Sequence, residues 1–441
     1  MKRWLAVLML VLMVFETAAC GGRAPQKKEI EGTIRISVFT PDRFLEEAAQ
    51  KFQALHPGVK VEITEFSTPE VKQIDANTVV SGVQDLENTK ENYVNNINTE
   101  LMSGKGADIL SLRTLPYKKY ISRNMFADLG KMMEEDKSYD PGKYYSGFFN
   151  AVKSKNGLYV LPVGYTYDLL AGQTQIQADD SEWNWQEFFA AAQGAINQKK
   201  GRYILAESDE NVFNEIVALN CNRFVNEEAK TCSFDSPEFI NLLKMCKELS
   251  NKNCLPNNQA RMTQEMFNQV LFHDLIINSV SFLASTETSM NPAKYLYRVP
   301  SENRGSNAFS PEMFAINNAS PNKTTAWEFL KYLLSDEMQS SPALPGFPVN
   351  RAALKQKVER ETNEFLQNTS ISQSKEKRIE LMQKYADFQE VMTRELNTCP
   401  YRDPRITRIV KEEAHPFFSG KAPAETVAQT IQNKVNIYLK E

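Results

Sequence analysis

The sequence predicts an α/β protein built as two lobes. Three observations lead there. Short β-branched runs alternate with amphipathic helical stretches from Thr33 onward. The chain has 441 residues, more than one ordinary hydrophobic core sustains. Its composition, 42% apolar and 24% charged, is that of a globular chain. A formal net charge of −4 leaves no basic footprint for nucleic acid.

The first residues point to export. Two positive charges in Met1–Arg3 precede the apolar run Trp4–Phe15, which is too short to span a bilayer but suits the core of a signal peptide. Small residues Thr17, Ala18 and Ala19 lead into Cys20. Residues 21–30 are polar, contain Pro25 and lack periodicity, so residues 20–30 read as a flexible tether.

The ordered part opens with alternation over Thr33–Phe39, a strand. Thr40-Pro41-Asp42 reads as a cap with proline at the first helical position, and Pro41–Leu55 as a helix with Phe44, Leu45, Ala48, Ala49 and Phe52 on one face. Val59–Phe66 completes a right-handed β-α-β unit. The polar stretch 67–106 suggests one or two surface helices, Ala107–Leu112 a third, buried strand, and Lys118–Arg123 a short helix. Gly157–Pro162 reads as a strand. The middle is helical near 185–198, 211–220 and 237–250, the last capped by Ser236. Phe224-Val225 and Thr231–Phe234 can pair as a hairpin. Met313–Ile316 reads as a strand, and 321–334, 352–397, 405–418 and 424–439 as helical.

Cysteine and histidine usage is sparse. Beyond Cys20 there are five cysteines, so at least one stays unpaired within the chain. Cys221 with Cys232, or Cys246 with Cys254, could close short loops; five independent thiols are the alternative. Three histidines and no CxxC spacing give no support for a metal site, and no cofactor is expected.

Several segments together resemble the extracellular solute-binding proteins of ABC sugar importers, the class that includes maltodextrin-binding protein. "KFQALHPGVKVEITEF" resembles that family's opening, and "DILSLRTLPYKKYISRNMFADL" its third strand and following helix. "GLYVLPVGYTYDLL" resembles its first passage between lobes, and "EWNWQEFFAAA" a helix start in the second lobe. "FAINNASPNKTTAWEFLKYLLSDEMQ" with "PGFPVNRAAL", and the closing "ITRIVKEEAHPFFSGKAPAETVAQTIQNKVNIYL", are similar to later parts of such chains. The resemblance implies a two-lobe, type II periplasmic-binding-protein-like fold whose hinge is crossed three times. It places the crossings near Val163, Val299 and Asn350, with residues 31–163 plus 300–350 as one lobe and 164–299 plus 351–441 as the other. It also makes Cys20 a lipobox cysteine, lipidated after removal of residues 1–19, with palmitate as the expected kind of chain. The protein would then sit on the extracytoplasmic face of the cell membrane as a monomer, and its partner would be an ABC permease.

In open parallel sheets, ligands gather beyond the carboxyl ends of the strands. That rule nominates Thr40 after the first strand, Arg113, Thr114 and Tyr117 after the third, and Tyr165, Thr166 and Tyr167 at the first crossing. By analogy with the family, His273 and Asp274 belong to a second-lobe ligand loop, and Tyr401 precedes a C-terminal helix near the cleft. Aromatic faces and planar hydrogen-bonding groups suit a mono- or oligosaccharide. The sequence departs from the maltodextrin pattern at Leu115 and Pro116, where that family has an acidic-basic pair, and few tryptophans remain for stacking on a long glucan. The expectation is therefore capture of a short or differently substituted sugar without catalysis. A surface glycosidase using two carboxylates, or a ligand-binding sensor of the same fold, are the competing classes.

Overall fold

The computed structural model describes residues 30–441 apart from 41, 68–70, 76–77, 82–85, 155–156, 173, 177–178, 181–182, 257–262, 289–293, 302–305 and 369. The expected signal peptide and Cys20 lie outside the described residues, as does the tether up to Glu29.

Fifteen strands form two main sheets and two small hairpins among the described residues. In chain order they are β1 (Gly32–Val38), β2 (Val59–Glu65), β3 (Val71–Asp75), β4 (Thr78–Ser81), β5 (Ile109–Ser111), β6 (Leu161–Pro162), β7 (Gly164–Gly172), β8 (Val225–Asn226) and β9 (Thr231–Cys232). Then come β10 (Phe272–Ile277), β11 (Tyr295–Arg298), β12 (Ser306–Phe309), β13 (Met313–Ile316), β14 (Phe347–Pro348) and β15 (Leu396–Thr398).

The first sheet has the order β2-β1-β5-β13-β6. β1 runs parallel to β2 and β5, whereas β13 is antiparallel to β5 and β6. Alternation works as the sequence suggests: Ile34, Ile36 and Val38 of β1 are buried. Helix Arg43–Leu55 covers them with Phe44, Leu45, Ala48, Ala49 and Phe52. Its cap is Asp42 rather than Thr40, because the Asp42 carboxylate accepts from the amides of Phe44 (2.8 Å) and Leu45 (3.1 Å). Helix Lys323–Leu333 packs beside it, with Phe329 edge-on to Phe52.

The second sheet is built on β7, which pairs antiparallel with β10 along one edge and with β11, β12 and β14 at other positions; β15 joins β12 in parallel. One face of this sheet meets a core of helices Trp185–Asn197, Asp209–Leu219, Pro237–Asn251, Pro404–Phe418 and Ala424–Lys440. The other meets helices Val280–Thr288, Arg351–Gln367 and Lys375–Arg394. β6 belongs to the first sheet and β7 to the second, so the chain changes sheets at Val163. β12 still belongs to the second sheet and β13 to the first, so the return runs through Ser310–Glu312.

Two local expectations are revised, and the two readings of the cysteines are decided. The stretch 67–106 holds the β3–β4 hairpin as well as a helix, Leu86–Met102. The strand expected over 157–162 is only Leu161–Pro162. Neither cysteine pair forms a disulfide, and all five of these thiols are free. In the hairpin Cys232 stands opposite Val225, not Cys221, and its Sγ faces the side chains of Gln432 and Asn436. Among the described residues, no helix is long and apolar enough to cross a membrane.

Candidate functional site

The segment Phe309–Glu312, which links the two sheets, carries polar groups of the first sheet on one side and of the second on the other. On the first side, Glu312 is buried and accepts a hydrogen bond from Ser111, the last residue of β5 (3.3 Å). Arg113 lies beside Glu312 at 3.7 Å with its side chain 65% exposed, so its fork remains open to solvent. Asp42 also hydrogen-bonds Glu312, and together burial and this second carboxyl push Glu312 up to about 8, against the opposing pull of Arg113. Thr40, at the end of β1, is half-buried. Thr114 is half-buried too, and its hydroxyl is enclosed without a hydrogen-bond partner.

On the other side, strand register decides which residues share a face. β7 pairs Asp168 with Ile276, Leu170 with Asp274 and Thr166 with Phe309, so Thr166, Asp168, Asp274, Ile276 and Phe309 point the same way. Arg402 lies over the Phe309 ring at 5.1 Å and forms a bidentate pair with Glu215 of helix Asp209–Leu219. Burial pushes Asp168 up to about 7, with Glu215 and Asp274 adding to the rise and Arg402 opposing it. Asp274 is raised to about 6 for the same first reason, burial among protein atoms, although the residue keeps an exposed edge.

The opposite face of β7 is core. Tyr165 is 1% exposed, its hydroxyl shared with Thr393 (2.7 Å) and Gln389 (3.1 Å), and its ring tilts against Phe148 and Phe347. Tyr167 is 2% exposed and stacks on Phe347. His273 falls on that same side of β10, stacked on Phe267 at 4.3 Å. These three therefore lie apart from the Thr166–Asp168 face.

Tyr117 and Tyr401 come together from different parts of the chain, edge to face at 4.7 Å. Both line a cavity of about 580 Å³ with Lys118, Asn222, Glu227 and Cys399. The three described tryptophans, Trp183, Trp185 and Trp327, are all buried and present no free stacking surface. No group of three or more His, Cys, Asp or Glu side chains that could hold a metal occurs among the described residues.

Of the residues the sequence nominates, Arg113 lies beside Glu312, Thr166 and Asp274 share the face of Phe309, and Tyr117 meets Tyr401 in a separate cavity; Asp168, Glu312, Glu215 and Phe309 were not nominated. The signal for Asp168 was present: strand alternation puts it with Thr166, opposite Tyr165 and Tyr167.

Two α/β sheets joined through crossing strands, with polar groups gathered at the crossing, define a two-lobe binding-protein architecture. The sequence profile of bacterial extracellular solute-binding proteins matches residues 37–340, about two thirds of the chain, and the protein belongs to that family. No curated protein matches the chain in sequence. Among solved structures it is similar to the sugar-binding protein MalE of Xanthomonas citri, at 14% identity and a TM-score of 0.58, covering 93% of this chain and 98% of that one. It is also similar to an ABC substrate-binding protein of Listeria monocytogenes in complex with cycloalternan, at 16% identity and a TM-score of 0.53, covering 93% and 99%. Maltose-bound MalE3 of Thermotoga maritima matches at 14% identity and a TM-score of 0.54, covering 92% and 99%.

Proposed function

We propose that this chain captures a mono- or oligosaccharide between its lobes, without catalysis, and delivers it to the permease subunits of an ABC importer. The observation that carries this reading is the gathering of Arg113, Glu312, Thr166, Asp168, Asp274 and Arg402 on both sides of one crossing segment. Carboxyl groups and guanidinium forks exchange hydrogen bonds with sugar hydroxyls, and the Phe309 ring and Ile276 offer apolar surface to a sugar's C–H face. Arg113, Thr40 and Thr114 would contact the ligand from one lobe, with Thr166, Asp168, Asp274 and Arg402 from the other, and Tyr117 with Tyr401 would close one end. Proteins of the same fold bound to maltose or cycloalternan support a sugar. Lobe closure around the ligand is the signal an importer can sense.

The same reading holds the protein, as a monomer, to the outer face of the cell membrane by a lipid on Cys20. A Cys20→Ser variant should appear in the culture medium; if it stays with the membrane fraction, the lipid is not the anchor.

The test of the ligand is a thermal-shift screen against mono- and oligosaccharides, with amino acids, short peptides and metal ions alongside. A ligand that binds only the folded state raises stability by about 2.7 kcal/mol at a hundred times its dissociation constant. A rise with one sugar class names the substrate. A rise only with a peptide or a metal ion would overturn the sugar.

A further inference from the structure

The lobes also touch along a line that the crossing strands do not provide. Glu91, on helix Leu86–Met102, sits between two arginines of helix Pro404–Phe418, with Arg405 on one carboxylate oxygen and Arg408 on the other. Next to it, Lys119 of helix Tyr117–Ser122 donates to the carbonyl of Tyr438 (3.1 Å) and lies 4.0 Å above the Tyr438 ring. Tyr117 meets Tyr401 on the same line, and Lys118 sits 4.6 Å over the Tyr401 ring.

The receiving side is built stiffly. Asp403 is fully buried and accepts from the hydroxyls of Tyr401 (3.0 Å) and Tyr438 (3.2 Å) and from the amides of Arg405 (2.9 Å) and Ile406 (3.0 Å). One carboxylate thus caps the helix that bears both arginines and fixes both tyrosines that the first lobe meets. Glu91, by contrast, reaches across the seam with both carboxylate oxygens, to Arg405 and Arg408.

We infer that Glu91 with Arg405 and Arg408 forms an ionic latch that biases the ligand-free protein toward the closed arrangement and leaves the ligand to complete the closure. Its charges remain about one third to one half exposed, so little hydration is lost on pairing and salt can screen it. Opening separates Glu91 from both arginines at once, and because Arg408 keeps Glu412 at 2.8 Å, the open state is not left with an unpaired guanidinium there. Ligand affinity then depends on ionic strength through the closing equilibrium even when the ligand is neutral. The inference rests on the two-lobe reading and not on the identity of the ligand.

Small-angle X-ray scattering of the ligand-free protein tests it, at about 0.02 M and about 0.5 M salt, where the screening length falls from well beyond an ion pair to within one. The wild type should expand as salt rises. Glu91→Gln should be expanded already at low salt and respond little, with its closed-to-open ratio lowered about two- to tenfold. Arg405→Gln with Arg408→Gln should do the same from the other side. Reversing the charges, Glu91→Arg with Arg405→Glu and Arg408→Glu, should restore the compact, salt-sensitive form. Identical scattering of wild type and Glu91→Gln at both salt concentrations overturns the latch, as does a charge-reversed protein that stays open. No ligand is added, so the result is independent of whether sugars bind.

Discussion

Glu312 is the residue whose protonation the fold controls most directly. Its carboxyl is raised to about 8 in the folded chain, above its ordinary value of 4.5. The folded state therefore binds more protons than the unfolded chain between these two limits, and stability must fall as pH rises through that window. Asp168, raised to about 7, pulls the same way. Melting temperature should decline from pH 5 to pH 8, and Glu312→Gln should flatten the decline; a variant with an unchanged slope would place the linkage elsewhere. Tyr165 shows the difference between a core and a cleft tyrosine. Tyr165→Phe removes a hydroxyl held by Thr393 and Gln389 and should lower stability by about 1 kcal/mol. Its ligand affinity should stay within about twofold of wild type, whereas Arg113→Ala or Asp168→Ala should weaken binding by about 1–3 kcal/mol. The tyrosine-rich run at 165–167 attracted attention as a sequence because tyrosines suit sugars. What it could not tell is which side of the strand the cleft takes, since alternation divides residues between two faces without naming either one.

At the scale of elements, helix Val280–Thr288 depends on a neighbour for its start. Glu361, from helix Arg351–Gln367, accepts from the amides of Val280 (2.7 Å) and Ser281 (3.3 Å) and from the Ser279 hydroxyl (3.1 Å). It supplies from a distance what an N-cap usually supplies locally. Glu361→Ala should cost about 1–2 kcal/mol in chemical denaturation; a smaller loss would mean that Ser279 alone suffices as cap. Most helices were legible in the sequence because their apolar stripes and caps are local, as at Ser236 and in the Asn184–Glu187 capping box. Strands β12 and β15 were not. Each is only a few residues long, and each is defined by partners far away in the chain: β12 by β7, β15 by β12. Where the resemblance implies a crossing near Val299, the chain returns to the first sheet at Ser310–Glu312, and Glu312 went unread because its neighbours Ser111 and Arg113 lie some two hundred residues earlier.

For the whole molecule, the resemblance carried the fold well because it drew on motifs spread from the first strand to the last helices, in order. The candidate site was only partly legible, since the residues beside the crossing segment come from both sheets and meet only through tertiary pairing. One feature of the architecture bears on how such a molecule comes apart. A single apolar core runs from Ile34 and Ile36 of the first sheet through Tyr167, Leu169 and Ile277 of the second to Leu381 and Tyr385 of helix Lys375–Arg394. Neither sheet can shed its neighbour without uncovering part of that shared interior. Calorimetry should therefore record one endotherm with matching calorimetric and van 't Hoff enthalpies, and two resolved peaks would show the halves melting separately. A molecule joined in this way should fail, when it fails, as one cooperative unit.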